Sequence, residues 1–271
     1  MGGTAAGEPA GGPAVAHGAV GGPRRPPRLR AAARLVRSVT RARRRKTGGV
    51  EAAFRLLGRL RRAPALHPDG LTCAAELEVL PGGACWGVPW LAAPGRFTAT
   101  VRLSRAAGLP RRLPDGLGLA VRVDEADGPG RALDLLLTSS GRGRATRRLP
   151  LPRADALGGP YSSLLSYRVG GRPRVLAAFP RRVSQAPVHG DPASLARALG
   201  AGPLVFDLCA ETPDRTWRPF AVLTVRTPLP VPPRRSADFD IYARDARKFT
   251  PGPTLAAIRR AAYRGSRAGR H

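Results

Sequence analysis

Cysteine, lysine, aromatic residues and long apolar runs are all scarce in this 271-residue chain. Three cysteines, Cys73, Cys85 and Cys209, are too few for a disulfide-stabilised scaffold, and they suit a reducing compartment such as the cytoplasm. No apolar stretch approaches the ~20 residues that a membrane-spanning helix needs. The first residues are small, with no compact apolar stretch after a charged start, so we expect no secretory signal and a cytoplasmic protein.

Acidic residues are also few, because 18 Asp and Glu face 46 Lys and Arg and leave a formal charge of +28. Such a charge favours nucleic acid or an anionic membrane as a partner. However, Lys46 and Lys248 are the only lysines, and Ala, Gly, Pro and Arg dominate the whole chain, as GC-rich codons would produce. Codon bias therefore accounts for part of the charge, and nucleic-acid binding is the secondary hypothesis.

The common catalytic motifs are missing. The chain has no phosphate-binding P-loop, no GxSxG or HExxH sequence and no CxxC pair. Cys73 and Cys85 are far from any histidine cluster, so we expect them to be buried structural residues rather than zinc ligands. The carboxylates are too scattered to indicate a glycosidase-like pair.

Composition divides the chain into an N-terminal arm and one larger domain. Residues 1–28 are low-complexity Gly, Ala and Pro, and a basic run follows at 29–46, which is either an anion-binding arm or a solvated tail. We therefore predict a disordered basic arm over 1–49 and a domain over 50–271. Apolar residues at helical spacing predict a short amphipathic helix at 50–62.

The domain is predicted to be α+β and mainly β, an antiparallel barrel with flanking helices. Phe97–Ser104 shows the pattern best, because Phe97, Ala99, Val101 and Leu103 share one face while polar residues share the other. Ala-rich Leu255–Arg270 favours a C-terminal helix. Short apolar segments separated by Gly and Pro predict strands at 72–80, 97–104, 117–124, 133–138, 174–179, 203–209 and 219–226.

Three segments, taken in order, carry a resemblance to a known family. They are Leu66-His67-Pro68-Asp69-Gly70 leading into Cys73–Val79; the stretch from Val101-Arg102-Leu103-Ser104 through Leu117–Val123 to Asp134-Leu135-Leu136; and Arg259-Arg260-Ala261-Ala262-Tyr263. Together they are similar to the distal-histidine segment, the V-R-F-S to W-D-L-V run and the R-x-x-x-Y helix of the haem-dependent catalase superfamily. Residues 141–216 match no part of that pattern.

The resemblance implies a catalase-like barrel that binds haem b. Tyr263 would then be the metal ligand, and Arg259, four residues earlier on the same helix face, would favour its phenolate form. Arg102 and Arg270 match family arginines that pair with the haem propionates. The alternative for Tyr263 is a surface tyrosine on a basic helix.

The resemblance also implies the reaction and its catalytic residues. His67 would be the distal acid–base group, and Ser104 would fix its imidazole by a hydrogen bond; the alternative for His67 is an exposed turn residue. Thr138 stands where the family has an asparagine that orients peroxide, Leu103 replaces a Phe, and the chain is far shorter than a typical catalase. We therefore expect weak catalase, peroxidase or peroxygenase activity.

Two hypotheses stay open from the sequence. The first is a haem enzyme that uses hydrogen peroxide or an organic hydroperoxide. The second is a haem-free basic barrel that binds nucleic acid or an anionic lipid surface, with the basic arm contributing contacts. The oligomeric state stays open as well, with a homo-oligomer among the alternatives.

Overall fold

The computed structural model describes residues 69–106, 113–182, 186–230 and 239–254. The predicted arm at 1–49 and the helices predicted at 50–62 and Leu255–Arg270 lie outside these residues. Among the helices of the described part, none has the length and apolar character to cross a membrane.

Eight antiparallel strands close into a barrel, which confirms the predicted mainly β class with an antiparallel barrel. The order of strands around the barrel is β1-β10-β9-β8-β5-β4-β3-β2, and β11, β6 and β7 form a separate three-stranded sheet. The strands are β1 (Asp69–Val79), β2 (Gly95–Arg105), β3 (Leu117–Val123), β4 (Leu133–Ser139), β5 (Tyr161–Ser162), β6 (Tyr167–Val169), β7 (Arg172–Arg174), β8 (Leu176–Arg181), β9 (Leu204–Glu211), β10 (Trp217–Pro228) and β11 (Phe249–Pro251).

Period-two alternation places the core inside the barrel. In β2, Ala99, Val101 and Leu103 are buried, whereas Thr98 is exposed and Thr100 and Arg102 are half-buried. The same alternation continues in β3 and β4, where the inward side chains are Leu and Val. Burial of a Val or Leu side chain stabilises the fold by roughly 1.5–3 kcal/mol, so these strands hold the barrel together.

An aromatic cluster lies beside the barrel core and includes a residue from the small sheet. Trp90 packs edge-to-face on Phe249 of β11, with ring centroids 5.5 Å apart, and on Phe220 of β10 at 6.2 Å. Such edge-to-face pairs add about 0.5–1.5 kcal/mol each beyond the area they bury. The cluster therefore fastens the three-stranded sheet to the barrel.

Helix α1 (Pro192–Ala201) precedes β9 and packs against β1 and β10. The Asp191 side chain caps it by accepting a hydrogen bond from the Ser194 amide at 3.0 Å, and Pro192 occupies the first turn. Leu195 and Leu199, one turn apart, are its buried apolar residues. This helix lies within the stretch for which the sequence predicted no structure.

The cysteine prediction is half correct. Cys73 is fully buried, and burial raises the pKa of its thiol to about 11. Cys85, predicted to be buried as well, is exposed. It lies in the 3-10 turn Gly83–Trp86, where Trp86 supplies the buried side chain instead.

Candidate functional site on the outer face of the barrel

The register of β2, β3 and β4 brings two predicted site residues into one row. Ser104 lies opposite Gly118 of β3, and Gly118 lies opposite Thr138 of β4. Directly opposed residues share a face of the sheet, and the strand spacing puts the backbones of Ser104 and Thr138 about 9–10 Å apart. Their side chains belong to the outer face, because Leu103, Leu119 and Leu137 fill the inner one.

Small residues separate these polar groups. Gly118 occupies the centre of the row, and Ala120, the next outward position on β3, lies between Arg102 and Leu136. Glycine and alanine do not project far from the sheet, so β3 adds little side-chain volume between β2 and β4, and Gly118 itself is buried. Leu136 and Thr138 are half-buried along its edge, and Ser104 is buried.

Gly70 makes room for the Arg102 guanidinium. A Cβ atom at Gly70 would stand 2.7 Å from Cζ and 2.8 Å from Nη1 of Arg102, which is closer than real Cβ contacts allow. Gly70 lies opposite Ser104 in the pairing of β1 with β2. The guanidinium therefore extends along the outer face from its own strand position towards the level of the Ser104–Thr138 row.

The other end of the same face is closed by a buried ion-pair network around Asp134. Arg122 donates from Nε to Oδ1 and from Nη2 to Oδ2, both at 2.8 Å, and the Asp240 amide donates to Oδ2 at 2.7 Å. Arg244 Nη1 adds a contact at 3.4 Å, and the Arg122 guanidinium lies 5.0 Å from the ring centroid of Phe239. Asp134 is fully buried and holds the 239–244 segment on β3 and β4.

Asp134 entered the sequence argument only as part of the resemblance, without a role. The structure gives it a stabilising role, because its carboxylate accepts hydrogen bonds from a neighbouring strand and from a segment more than 100 residues away in the sequence. A buried carboxylate held by a bidentate arginine is a stabilising unit only while both partners are present. The local pattern around Asp134 contains no indication of Asp240 or Arg244.

The fold therefore brings three of the predicted site residues to one face: Arg102, Ser104 and Thr138. The other four lie outside the described residues and stay predictions: His67, Arg259, Tyr263 and Arg270. Strand β1 begins at Asp69, two residues after His67, and Gly70 enters the barrel opposite Ser104. Within the described part of the chain, no group of three His, Cys, Asp or Glu side chains could hold a metal ion.

A second polar cluster, around Glu211, was not predicted from the sequence. Glu211 ends β9 and is buried, with its carboxylate contacted by Arg147 at 3.2 Å and by Arg148 at 3.1 Å. The sequence shows that residues 139–150 are basic. It contains no local signal that Glu211, 63 residues after Arg148, pairs with that stretch.

Comparison with known proteins supports the fold and leaves the activity to experiment. No family model and no curated protein matches this chain. Among solved structures, catalase A from Saccharomyces cerevisiae is similar at a TM-score of 0.55 and 10% identity, over 76% of this chain and 60% of that one. A bacterial catalase is similar at a TM-score of 0.51 and 12% identity, over 76% of this chain and 56% of its own.

This similarity shows that the barrel is catalase-like, which confirms the resemblance at the level of fold. The matched region spans less than two thirds of the length of either catalase. At such low identity the comparison does not carry the residues of a reaction site, so the assignment of function rests on the outer face itself.

Proposed function

We propose that this chain is a catalase-like haem protein that acts on hydrogen peroxide or an organic hydroperoxide. The observation that carries the proposal is the row formed by Ser104, Gly118 and Thr138 on the outer face of a catalase-like barrel, with Arg102 beside it. Two hydroxyl groups and one guanidinium flank a strip of small residues there. This arrangement suits a flat ligand that carries carboxylates.

The described residues fit one side of a haem. Haem b is a flat, largely apolar ring with two propionates. Ala120 and Leu136 provide apolar side chains for such a ring, and Gly118 has no side chain that would hold it away from the sheet. Arg102 would pair with a propionate, because a guanidinium binds carboxylates with two parallel hydrogen bonds. Outside the described residues, Tyr263 would hold the iron, Arg259 would favour its phenolate, and Arg270 would pair with the second propionate.

Bound between these residues, a haem would supply the redox chemistry for cleaving the O–O bond of a peroxide. The chain's own groups manage the proton and the orientation of the substrate. The His67 imidazole would accept the proton of the peroxide and return it to the departing oxygen, a role worth ~10²–10⁴ in rate. Ser104 Oγ would hold that imidazole in one tautomer, and the Thr138 hydroxyl would donate a hydrogen bond to the peroxide.

The proposal is tested by the absorption spectrum of the full chain purified after expression with added haem. We expect a ferric Soret band that shifts or weakens in Tyr263→Phe. The matched control is Tyr161→Phe, because Tyr161 lies inside the barrel with its hydroxyl bonded to the Ala156 carbonyl at 2.8 Å. That variant should keep the wild-type band.

Two results would contradict the proposal in different ways. If haem-loaded Tyr263→Phe keeps the wild-type spectrum, the ligand assignment is wrong. If the wild-type chain takes up no haem, the enzyme hypothesis is wrong, and the basic-barrel alternative, which rests on the charge of +28, gains support. A colourless protein that shifts DNA at low salt, in competition with the isolated 1–50 segment, would establish that alternative.

A further inference from the structure

A pocket of about 320 Å³ lies at the cluster around Glu211. The hairpin of β6 and β7, the 3-10 turn Thr146–Arg148 and the end of β9 contribute to it. Its lining includes the charged and hydroxyl-bearing side chains Arg148, Arg172, Arg174, Arg215, Glu211 and Thr212. None of these residues belongs to the proposed haem site.

The single carboxylate of this pocket is already shared among arginines. Glu211 Oε1 is 3.2 Å from Nη1 of Arg147 and 4.0 Å from Nη1 of Arg215, while Oε2 is 3.1 Å from Nη2 of Arg148. One negative charge therefore faces three positive ones before the remaining lining arginines are considered. No capacity is left on Glu211 to neutralise Arg172 or Arg174.

Arg174 is held in place by contacts that carry no opposite charge. Its Nη1 donates to the Glu211 carbonyl at 2.7 Å, and its guanidinium lies 4.9 Å from the ring centroid of Trp86. Its Nε is buried and has no hydrogen-bond partner among the residues that the structure describes. Burial lowers the pKa of Arg174, and repulsion from Arg172 and Arg218 lowers it further. An anion in the pocket would relieve that repulsion.

Arg172 supplies an exposed positive charge at the pocket, in addition to that of Arg215. Arg172 lies two residues before Arg174 on β7, and its side chain forms no hydrogen bond or ion pair within the described part of the chain. Residues at positions i and i+2 of a strand project from the same face, so Arg172 and Arg174 line the pocket together. The lining thus carries four guanidinium groups and one carboxylate.

We propose that this pocket binds a phosphate group, either as free phosphate or as the monoester of a small organic molecule. Guanidinium groups bind phosphate oxygens in the bidentate geometry that they also use for carboxylates, and several of them together match a dianion. The volume of the pocket lies near the lower limit of about 300–1,000 Å³ for small-molecule sites. It therefore suits a compact phosphomonoester rather than a large one.

Isothermal titration of the full chain with inorganic phosphate, and separately with glycerol 3-phosphate, tests the proposal. The ionic strength is held with sodium chloride at about 0.15 M so that diffuse screening is constant. We expect saturable one-site binding that Arg172→Gln weakens by about tenfold or more, as expected for loss of a hydrogen bond between charged groups. Tighter binding of glycerol 3-phosphate than of phosphate identifies a monoester site, and the reverse order identifies a free-phosphate site.

The matched control is Arg168→Gln. Arg168 is an exposed arginine of β6 that does not line the pocket, so this variant removes the same charge nearby. It should change the affinity by less than about twofold. The Arg172 side chain is exposed and forms no hydrogen bond or ion pair within the described residues. Its replacement should therefore leave the thermal unfolding of the ligand-free chain unchanged. An equal loss in both variants, or no saturable binding of either phosphate compound, would overturn the proposal.

Discussion

The two ends of the outer face of β2–β4 differ in how their polar groups are used. At one end Asp134 is fully buried, and Arg122, Arg244 and the Asp240 amide converge on its carboxylate. At the other end Ser104, Gly118 and Thr138 form a row of small residues across the three strands. The same face thus carries a buried ion-pair network that stabilises the fold and a candidate binding surface. The presence of polar side chains on this face therefore does not by itself indicate function.

The largest effect on stability should come from breaking the ion-pair network around Asp134. Asp134→Ala leaves Arg122 without its bidentate partner and frees the 239–244 segment, so we expect the free energy of unfolding in urea to fall by about 3–5 kcal/mol. The control is Asp207→Ala, whose carboxylate pairs with a half-exposed Arg181. That change should cost less than about 1 kcal/mol. Equal losses of unfolding free energy in the two variants would show that the Asp134 network does not stabilise the fold more than an exposed ion pair does.

The second prediction sharpens the contrast at the opposite end. Under the proposed function, Ser104→Ala should lower kcat for peroxide by about 10–100-fold, as loss of a group that orients a catalytic histidine does. The free energy of unfolding should change by only about 1 kcal/mol, the net worth of one hydrogen bond.

Ser163→Ala is the matched control for Ser104→Ala. Ser163 is also a buried serine, but it is not one of the residues of the row, and its hydroxyl donates to the Leu165 carbonyl at 2.7 Å. Both partners of the Ser163 hydroxyl are backbone groups, since the Leu176 amide also donates to it at 3.1 Å, so this variant should keep wild-type turnover. A haem-loaded Ser104→Ala protein with full turnover would remove Ser104 from the proposed site.

A third prediction concerns Asp127, which binds Arg247, three residues beyond the 239–244 segment. Burial alone would raise the pKa of Asp127, but its hydrogen bond from Arg247 at 2.8 Å and the charges of Arg247 and Arg131 bring the pKa below the usual range. A pKa that is lower in the folded state stabilises the fold above the unfolded-state pKa, and this stabilisation is lost as pH falls through the folded-state pKa.

Asp127→Asn should therefore lower Tm at neutral pH, by less than Asp134→Ala does, because Arg247 is largely exposed. The difference in Tm between wild type and Asp127→Asn should shrink as pH falls through the pKa of Asp127. Differential scanning calorimetry over a pH series measures this difference. A gap that stays constant with pH would show that the charge of Asp127 does not stabilise the fold.

The strands that form this face could be predicted because each has its own alternating pattern. Val101 and Leu103 alternate with Arg102 and Ser104 in the sequence itself, and the structure keeps that alternation as far as Leu103, after which Ser104 is buried as well. Strand β5 could not be predicted, since two residues have no period, although Tyr161 closes the barrel by pairing with Ser139 and Ala178. Helix α1 had a readable start in Asp191-Pro192, with Leu195 and Leu199 at helical spacing, and was missed.

The candidate sites show the same limit. The resemblance pointed to Ser104 and Thr138, but only the register through Gly118 places them in one row. The arginine-lined pocket had no counterpart in the sequence argument, because Glu211 and Arg147 are brought together by the closed barrel rather than by any local spacing. Ion pairs between distant residues are especially hard to predict in a chain this rich in arginine.

The smallest effect should come from Thr138, where the chain departs from the family pattern that it resembles. Asparagine offers an amide donor with longer reach than a hydroxyl, so Thr138→Asn should raise peroxide turnover, and Thr138→Val should lower it. Each change should be about fivefold, the equivalent of one hydrogen bond of about 1 kcal/mol. Thr98→Asn, at an exposed position of the same barrel face, is the control and should have no effect. If Thr138→Val and Thr138→Asn turn over peroxide equally, position 138 does not contact the substrate, and the candidate binding surface narrows to β2 and the start of β1.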